Sequence, residues 1–240
     1  MKQSMKETAR RLQELLEITV APVAISFLDR APAGVPRLER AGAASCSYWS
    51  MAAEGRVFHT VAADHFNCPV GAFTHGVDLP EAQRGELNET LKMMIGLDYV
   101  TMDEVNALPR RMDAFGVAVY APLAAAPCDP DIVLLRGNAR QMMLLAEAAQ
   151  RAGLSGAVPA MGRPTCVVLP QAIDSGKTAM SLGCVGNRVY TGAADGEAYI
   201  AVPGAVIDRL LHSLESIVRA NQELESYHRD RRARLEGAKA

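Results

Sequence analysis

The sequence lacks the features that would tie it to nucleic acid or to a membrane. Its 25 Lys and Arg residues stand against 27 Asp and Glu residues, and aromatic residues make up only 5% of the chain. We therefore expect no basic, aromatic-rich surface for nucleic acid. No run of about 18 apolar residues is present, so no membrane-spanning helix is expected. The apolar stretch 18–28 contains Pro22 and follows a charged helix, which is not the pattern of a secretion signal.

Paired cysteines are also missing. The chain has five cysteines, Cys46, Cys68, Cys128, Cys166 and Cys184, and none of them forms the close C-x-x-C pair of a zinc ribbon or finger. An odd count in a long chain without a secretion signal favours reduced thiols and a cytoplasmic location. If several of these cysteines share a metal, they must come together from separate loops.

Two nucleotide-binding signatures are absent as well. No G-x-G-x-x-G follows a predicted strand, so the usual nicotinamide and flavin fingerprint is missing. The segment "QAIDSGKT" has the end of a phosphate-binding loop, but Gln171 occupies the position of its first glycine. Without that glycine the backbone cannot form the tight phosphate cradle. We predict a surface turn there.

The chain does have the composition of an ordinary globular protein, with 49% hydrophobic and 22% charged residues. Helical and strand patterns alternate along it. This predicts an α/β fold, or a mixed α+β fold, in one domain over 1–240, with a mixed sheet flanked by helices. The predicted helices cover 4–18, 45–54, 81–94, 138–152 and 204–235, with another beginning at Pro69. The predicted strands cover 23–28, 56–62, 115–120, 131–136, 166–169 and 197–202, with a glycine-rich loop at 181–190 leading into one more.

The long C-terminal helix carries a stripe of residues in steps of three and four: Ile207, Leu210, Leu214, Ile217, Asn221, Leu224 and His228. This spacing is typical of a heptad repeat, and Asn221 would be a polar residue in its core. The stripe predicts either a helix packed on its own domain or the seam of a homodimer.

Cys68 is the first candidate for chemistry. It precedes Pro69, which suits the first position of a helix, and a helix N-terminus stabilises a thiolate. His65 lies three residues earlier and is a candidate second ligand or proton acceptor, with His59 as a further candidate base. A thiol enzyme that uses Cys68 as its nucleophile is one hypothesis. A buried, inert cysteine beside a solvent-facing histidine is the alternative.

Cys184 lies between two glycines, Gly183 and Gly186, which let a backbone turn tightly and approach a ligand. Arg188 follows and is a candidate partner for an anion or a negatively charged cluster. A tight turn with a small apolar cysteine explains the same pattern. Asn138 follows a strand and caps the next helix, a position where α/β sheets often bind small molecules.

Several segments, taken in order, resemble one known family. They are "PVAISFLD", a cysteine-containing helix closed by Gly55, "HFNCPVGAFTHG", "DIVLLRGNARQMM", "GRPTCVVLP" and "SLGCVGNRVY". This ordered set resembles the domain-of-unknown-function 169 family, also called ArCR, over about 20–203. The family has no agreed biochemical function. Its usual glycine pair after the Cys-Pro step is replaced here by Val70 and Gly71.

The resemblance implies which cysteines matter: Cys46, Cys68, Cys166 and Cys184 fall at the family's cysteine positions, and Cys128 does not. Four such thiols in a cytoplasmic protein suggest shared ligation of a 4Fe-4S cluster, with zinc as the alternative, because the ligands are scattered rather than paired. Arg188 and the backbone near Gly183 and Gly186 would then donate hydrogen bonds to sulfur.

We therefore expect a cysteine-ligated metal or iron–sulfur protein of unknown reaction, either a redox protein or one that binds its substrate at the cluster, with an unidentified redox partner or small molecule. A non-catalytic module that binds a metal or a small molecule and the thiol enzyme described above are the alternatives. Whether the protein is an enzyme stays open.

Overall fold

The computed structural model describes residues 4–156 and 164–237. Within them the chain forms one six-stranded sheet with the strand order β2-β3-β1-β4-β6-β5. All five strand pairings are antiparallel. The strands are β1 (Val23–Leu28), β2 (Phe58–Thr60), β3 (Val117–Pro122), β4 (Ile132–Asn138), β5 (Ala179–Ser181) and β6 (Glu197–Pro203).

Helices occupy most of the remaining described chain. They are α1 (Met5–Leu16), α2 (Ser47–Ala53), α3 (Pro69–Thr74), α4 (Glu81–Gly96), α5 (Met102–Asn106), α6 (Ala139–Arg151), α7 (Val168–Ser175), α8 (Val185–Thr191) and α9 (Ile207–Gly237). The predicted α/β class and the long C-terminal helix are confirmed. The strand directions, predicted to be mixed, are antiparallel. No helix in these ranges is both long enough and apolar enough to cross a membrane.

The two faces of the sheet bury different cores, because successive side chains of a strand point to opposite sides. On one face, Val133 and Ile200 pack with α1, α6 and α9. On the other face, Ile25, Tyr120 and Leu134 pack with α2 and α7. The second face is the one that carries the cysteines discussed below.

Two predicted strands are wrong. Residues 166–169 begin in a short 3₁₀ turn (Thr165–Val167) and continue into α7. A four-residue apolar run has no periodicity that separates a strand from a buried helix, and Val168, Leu169 and Ala172 bury one face at helical spacing. Gly162 and Arg163, the start of the quoted segment "GRPTCVVLP", lie outside the described residues.

The segment 181–190 also differs from its prediction. It leaves β5 and enters helix α8, not a strand. Its two glycines suggested a loop, but Gly186 lies inside α8, and the helix begins where the Cys184 sulfur accepts a hydrogen bond of 3.3 Å from the Asn187 backbone N–H. Gly192, in the left-handed conformation, ends it.

The C-terminal helix α9 packs on its own fold along its first half. Ile207, Leu210 and Leu214 are fully buried against α1 and α6. Asn221 donates from Nδ2 to Oε2 of Glu147 on α6 at 3.0 Å. Past this point the same stripe becomes solvent-exposed, and Leu224 is 56% exposed. Packing within the chain therefore explains the first half of the stripe, and the homodimer stays a prediction for the second half.

Candidate four-cysteine site

The four cysteines singled out above all lie where a helix begins on one face of the sheet. Cys46 directly precedes α2, Cys68 directly precedes α3, and Cys184 directly precedes α8. Cys166 lies in the 3₁₀ turn before α7. Cys46 and Cys166 are buried in the core of this face, whereas Cys68 and Cys184 are half-buried.

These four thiols are neighbours. The Cys46 and Cys166 thiols interact electrostatically with each other and with those of Cys68 and Cys184. All four are free thiols. Over residues 4–156 and 164–237, no three His, Cys, Asp or Glu side chains are arranged so that they could hold a metal ion as they stand. The fold thus gathers the thiols on one face without forming a closed ligand shell.

The Cys46 and Cys68 segments meet at Gly71 in α3. A Cβ atom at this position would lie 2.5 Å from Ser45 Oγ and 2.9 Å from Cys68 Sγ. Real Cβ atoms do not approach other heavy atoms so closely, and both neighbours are held near the start of their helices. Only glycine therefore fits between the two segments.

The Cys68, Cys166 and Cys184 segments are joined by two threonines. Thr74 at the end of α3 lies close enough to the Cys166 thiol to act on its pKa, and its own hydroxyl donates to the Gly71 carbonyl at 2.9 Å. Thr165, the neighbour of Cys166, accepts a hydrogen bond of 2.6 Å on Oγ1 from the Cys184 backbone N–H. Thr74 thus links the end of α3 to Cys166, and Thr165 links the turn before α7 to the start of α8.

Asn187 connects α8 back to Cys46. Its carboxamide is buried and lies beside the Cys46 thiol, close enough to act on the pKa of that thiol. Neither polar atom of this carboxamide makes a hydrogen bond of ordinary geometry within the described part of the chain. The Asn187 carboxamide therefore lies near the thiol without a formed hydrogen bond. The contacts described above therefore form a ring that links the segments of the four cysteines. The unsatisfied Asn187 amide lies in this ring beside Cys46.

Burial keeps the two inner thiols protonated. It raises the pKa of Cys46 to about 12, although Asn187 acts in the opposite direction. Burial also raises the pKa of Cys166, and the neighbouring cysteines add to the effect. The thiolate is the form that attacks electrophiles and ligates metals. Cys46 and Cys166 are therefore poor nucleophiles, and ionising them requires a cation that repays the desolvation.

A buried histidine pair lies next to the Cys46 and Cys68 segments. His65 is fully buried, with Ser45 Oγ 2.9 Å from Nδ1 and Thr60 Oγ1 3.0 Å from Nε2. His75 is also buried and donates from Nδ1 to the Gly71 carbonyl at 2.7 Å. The two rings lie 4.8 Å apart. Burial lowers the pKa of both, to about 4 for His75, so both rings are neutral at pH 7.

The candidate bases for Cys68 do not pair with its thiol. Both ring nitrogens of His65 face hydroxyl groups, and its contact with Cys68 is a backbone hydrogen bond from the Cys68 N–H to the His65 carbonyl. His59 donates from Nδ1 to the Val35 carbonyl at 3.1 Å. The hypothesis of a Cys68 nucleophile therefore lacks a positioned histidine base in the described ranges.

Arg188 connects the backbone segments before and after α8 through hydrogen bonds. Its guanidinium donates to the carbonyls of Leu182 at 2.5 Å and Glu197 at 3.2 Å, and also to the carbonyl of Ala194. Gly183 has a φ of 86°, which allows the turn before Cys184. Three carbonyl partners hold this cation in place, so a hydrogen bond from Arg188 to sulfur stays a prediction.

Asn138 and Cys128 lie apart from this ring of contacts. Asn138 caps α6: its Oδ1 accepts from the Gln141 N–H at 3.0 Å, and Gln141 Oε1 accepts from the Asn138 N–H at 2.8 Å. Cys128 contacts Ser26 Oγ at 3.4 Å, and Ser26 points to the opposite face of β1 from Ile25. Cys128, which does not fall at a cysteine position of the family, therefore lies beside a side chain of the other face of the sheet.

Several contributors to the site were missed at the sequence level: Ser45, Gly71 as a spacer, Thr74, His75, Thr165 and Asn187. Ser45 and Thr165 are each the residue before a cysteine, and Asn187 lies three residues after one. The position of these three small polar residues beside or near a cysteine was the sequence signal that could have identified them. The others carry no sequence signal, because tertiary packing alone brings them to the site.

The family model described as "DUF169: Uncharacterised ArCR" matches residues 11–213, which is most of the chain. An "Uncharacterized protein MJ0308" of Methanocaldococcus jannaschii is 25% identical over 224 residues, covering 88% of this chain and 94% of that protein. No solved structure gives a significant match. The similarity thus extends across all four cysteine segments and includes no relative of described activity.

Proposed function

The chain belongs to the DUF169 (uncharacterised ArCR) family, and we propose that Cys46, Cys68, Cys166 and Cys184 together bind an iron–sulfur cluster, with zinc as the alternative metal. One observation carries the proposal. Cys46, Cys68 and Cys184 each directly precede a helix, and Cys166 lies in the turn before a fourth. Their thiols lie on one face of the sheet and interact electrostatically.

The donor chemistry of the site suits such a group. Four thiols are the usual ligand set of an iron–sulfur cluster and one of the usual sets of zinc. The glycine at position 71 keeps the space beside the Cys68 sulfur free of a side chain. The buried carboxamide of Asn187, unsatisfied in the described chain, supplies an N–H that would stabilise a thiolate at Cys46.

The four cysteines would have different tasks at a bound centre. When bound, an iron–sulfur cluster supplies one-electron transfer or a Lewis-acidic iron. Cys46 and Cys166 would anchor it from the core, and their protons must leave on binding, so affinity should rise with pH. Cys68 and Cys184 are half-buried. The redox partner or small molecule would therefore approach from their side.

The test is metal analysis of the whole chain purified without oxygen. Iron and acid-labile sulfide, with a visible absorption band, would support the cluster; zinc without iron would support the alternative metal. Cys166→Ser should abolish the bound metal, whereas Cys128→Ser should retain it and serves as the matched control. A metal-free protein that also resists reconstitution, or equal metal content in the two variants, would overturn the shared site.

A second function is favoured by a different observation. A cleft of about 220 Å³ lies at the ends of β4 and β6 and is lined by Arg136, Asn138, Gln141 and Glu197 among others. This is the place where the sequence predicted a small-molecule pocket. The alternative proposal is a binding module that takes a ligand in this cleft without turnover, and equilibrium binding without any product would distinguish it from an enzyme.

We also infer a reducing, cytoplasmic setting and a homodimer. All five cysteines are free, which suits a compartment that keeps thiols reduced. The outer half of α9 exposes Leu224, Tyr227 and Leu235, a surface suited to α9 of a second copy. Light scattering should give a dimer that Leu224→Glu dissociates. A wild-type monomer would refute this pairing.

A further inference from the structure

Two cavities near the end of β4 share Arg136 as a lining residue. One is the open cleft of about 220 Å³, lined by Glu17, Glu197 and other polar residues. The other is a narrow slot of about 20 Å³, lined by Val23, Trp49, Leu134 and Tyr199 among others. A slot of this size holds about one water-sized group. Arg136 therefore stands between a polar space and a confined apolar one.

Arg136 is a mostly buried cation with few partners. Its side chain is 20% exposed, and within the described residues its one ion pair joins Nε to Oε1 of Glu197 at 3.5 Å, which is longer than a hydrogen bond. The guanidinium makes no hydrogen bond to any residue in 4–156 or 164–237, and its Nε is buried and unsatisfied. Buried guanidinium groups normally bind carboxylates or carbonyls through several N–H donors. The site thus has strong donors without an acceptor.

Trp49 carries a second hydrogen-bond donor that lacks an acceptor. It is 2% exposed, and its indole Nε1 has no hydrogen-bond partner across the described chain. Buried indole N–H groups usually find a partner. Trp49 and Arg136 both line the slot, so the two residues that carry these unsatisfied donors border the same space.

The cleft next to Arg136 contains residues of the opposite charge. Glu17 and Glu197 both line it, and Glu197 accepts from the Ala194 N–H on Oε2 at 2.8 Å, which leaves Oε1 facing Arg136. One basic residue, Arg136, and two acidic residues, Glu17 and Glu197, therefore line the cleft. A simple anion would be repelled by the carboxylates, and a simple amine would leave Arg136 unsatisfied.

We propose that this site binds a small zwitterion of the α-amino acid class, with a carboxylate oxygen in the slot at Arg136 and Trp49 and the ammonium group between Glu17 and Glu197. The site is separate from the four thiols but shares an element with them. Trp49 lies three residues after Cys46 on α2. Its ring packs on Tyr199, with ring centroids 5.7 Å apart.

The experiment is calorimetric titration of the whole chain with L-alanine as the first probe, followed by the other common α-amino acids. Propionate lacks the ammonium group and ethylamine lacks the carboxylate, so both should bind at least about tenfold more weakly than the best amino acid. Equal binding of propionate would reveal a plain anion site and overturn the proposal. No heat of binding with any amino acid would also overturn it.

Variants locate the binding. Arg136→Gln should abolish it, and Trp49→Phe and Glu197→Gln should each weaken it by about tenfold. Arg140→Gln is the matched control, because Arg140 is an exposed arginine of α6 that pairs with Glu225. If Arg136→Gln fails to fold, the other two variants decide. Unchanged affinity in both would overturn the assignment, whereas the metal content tests the four-cysteine site separately.

Discussion

The backbone N–H of Cys184 donates to Oγ1 of Thr165 at 2.6 Å, and this bond ties the start of α8 to the turn that carries Cys166. Thr165 is 1% exposed, so water cannot replace the hydroxyl if it is lost. Thr165 and Cys184 are 19 positions apart in the sequence. A single hydroxyl therefore fixes how two of the four cysteines stand relative to each other.

Thr165→Val should destabilise the fold by about 1–3 kcal/mol, because it leaves the half-buried Cys184 N–H without its acceptor. The measurement is urea unfolding of the metal-free protein. Thr165→Ser keeps the hydroxyl and should retain most of the stability. If the valine variant matched the wild type in free energy of unfolding, the proposed role of this bond would be refuted.

Gly71→Ala tests the spacing between the Cys46 and Cys68 segments. The added methyl group would meet Ser45 Oγ and Cys68 Sγ at distances that force the helices apart. We expect a loss of about 1–3 kcal/mol in the free energy of unfolding, as for other overpacked sites. Metal uptake, if the chain binds metal, should fall with it.

Gly85→Ala is the control for this change. Gly85 lies inside helix α4, and a Cβ there meets nothing within 4 Å. The same substitution should stabilise this helix by up to about 1 kcal/mol. If both alanine variants shifted stability in the same direction and by the same amount, the crowding at Gly71 would not be the cause.

Strong local signals made much of the fold predictable. Ser4 accepts from the Glu7 N–H at the start of α1, and Pro69 begins α3, as the capping and proline rules predict. The strand over Val23–Leu28 has its predicted bounds. In contrast, 166–169 and 181–190 were predicted wrongly, because short apolar or glycine-rich segments take their conformation from the core that surrounds them.

The candidate site was predictable only in part, for the same reason. The resemblance to a family singled out four cysteines, and the fold places them together. Nothing in the spacing of Thr74 or His75 indicates contact with that cluster. The sequence suggested that Arg188 binds an anion or a cluster, but its guanidinium donates hydrogen bonds to three backbone carbonyls. Tertiary contacts of this kind have no periodic signal in a sequence.

Thiol reactivity separates a shared ligand site from a Cys68 enzyme. In metal-free Cys128→Ser protein, iodoacetamide at neutral pH should modify Cys46 and Cys166 last, because burial keeps both thiols protonated and covered. Peptide mass spectrometry over time gives the order. Rapid modification of Cys68 alone, with Cys184 as slow as the buried pair, would instead favour the thiol enzyme.

The histidine pair predicts a loss of stability in mild acid. Burial lowers the pKa of His75 from 6.5 to about 4, so between these values the unfolded chain binds a proton that the folded chain does not. Stability should therefore fall as the pH drops from about 6.5 towards 4, by up to about 3 kcal/mol for this residue. The pKa of His65 is also lowered and adds to the effect.

Urea unfolding across this range should show a shallower slope for His75→Gln than for the wild type. The exposed His212 of α9 supplies the control, since His212→Gln should leave the slope unchanged. Equal slopes in all three proteins would mean that His75 accepts its proton without leaving the core.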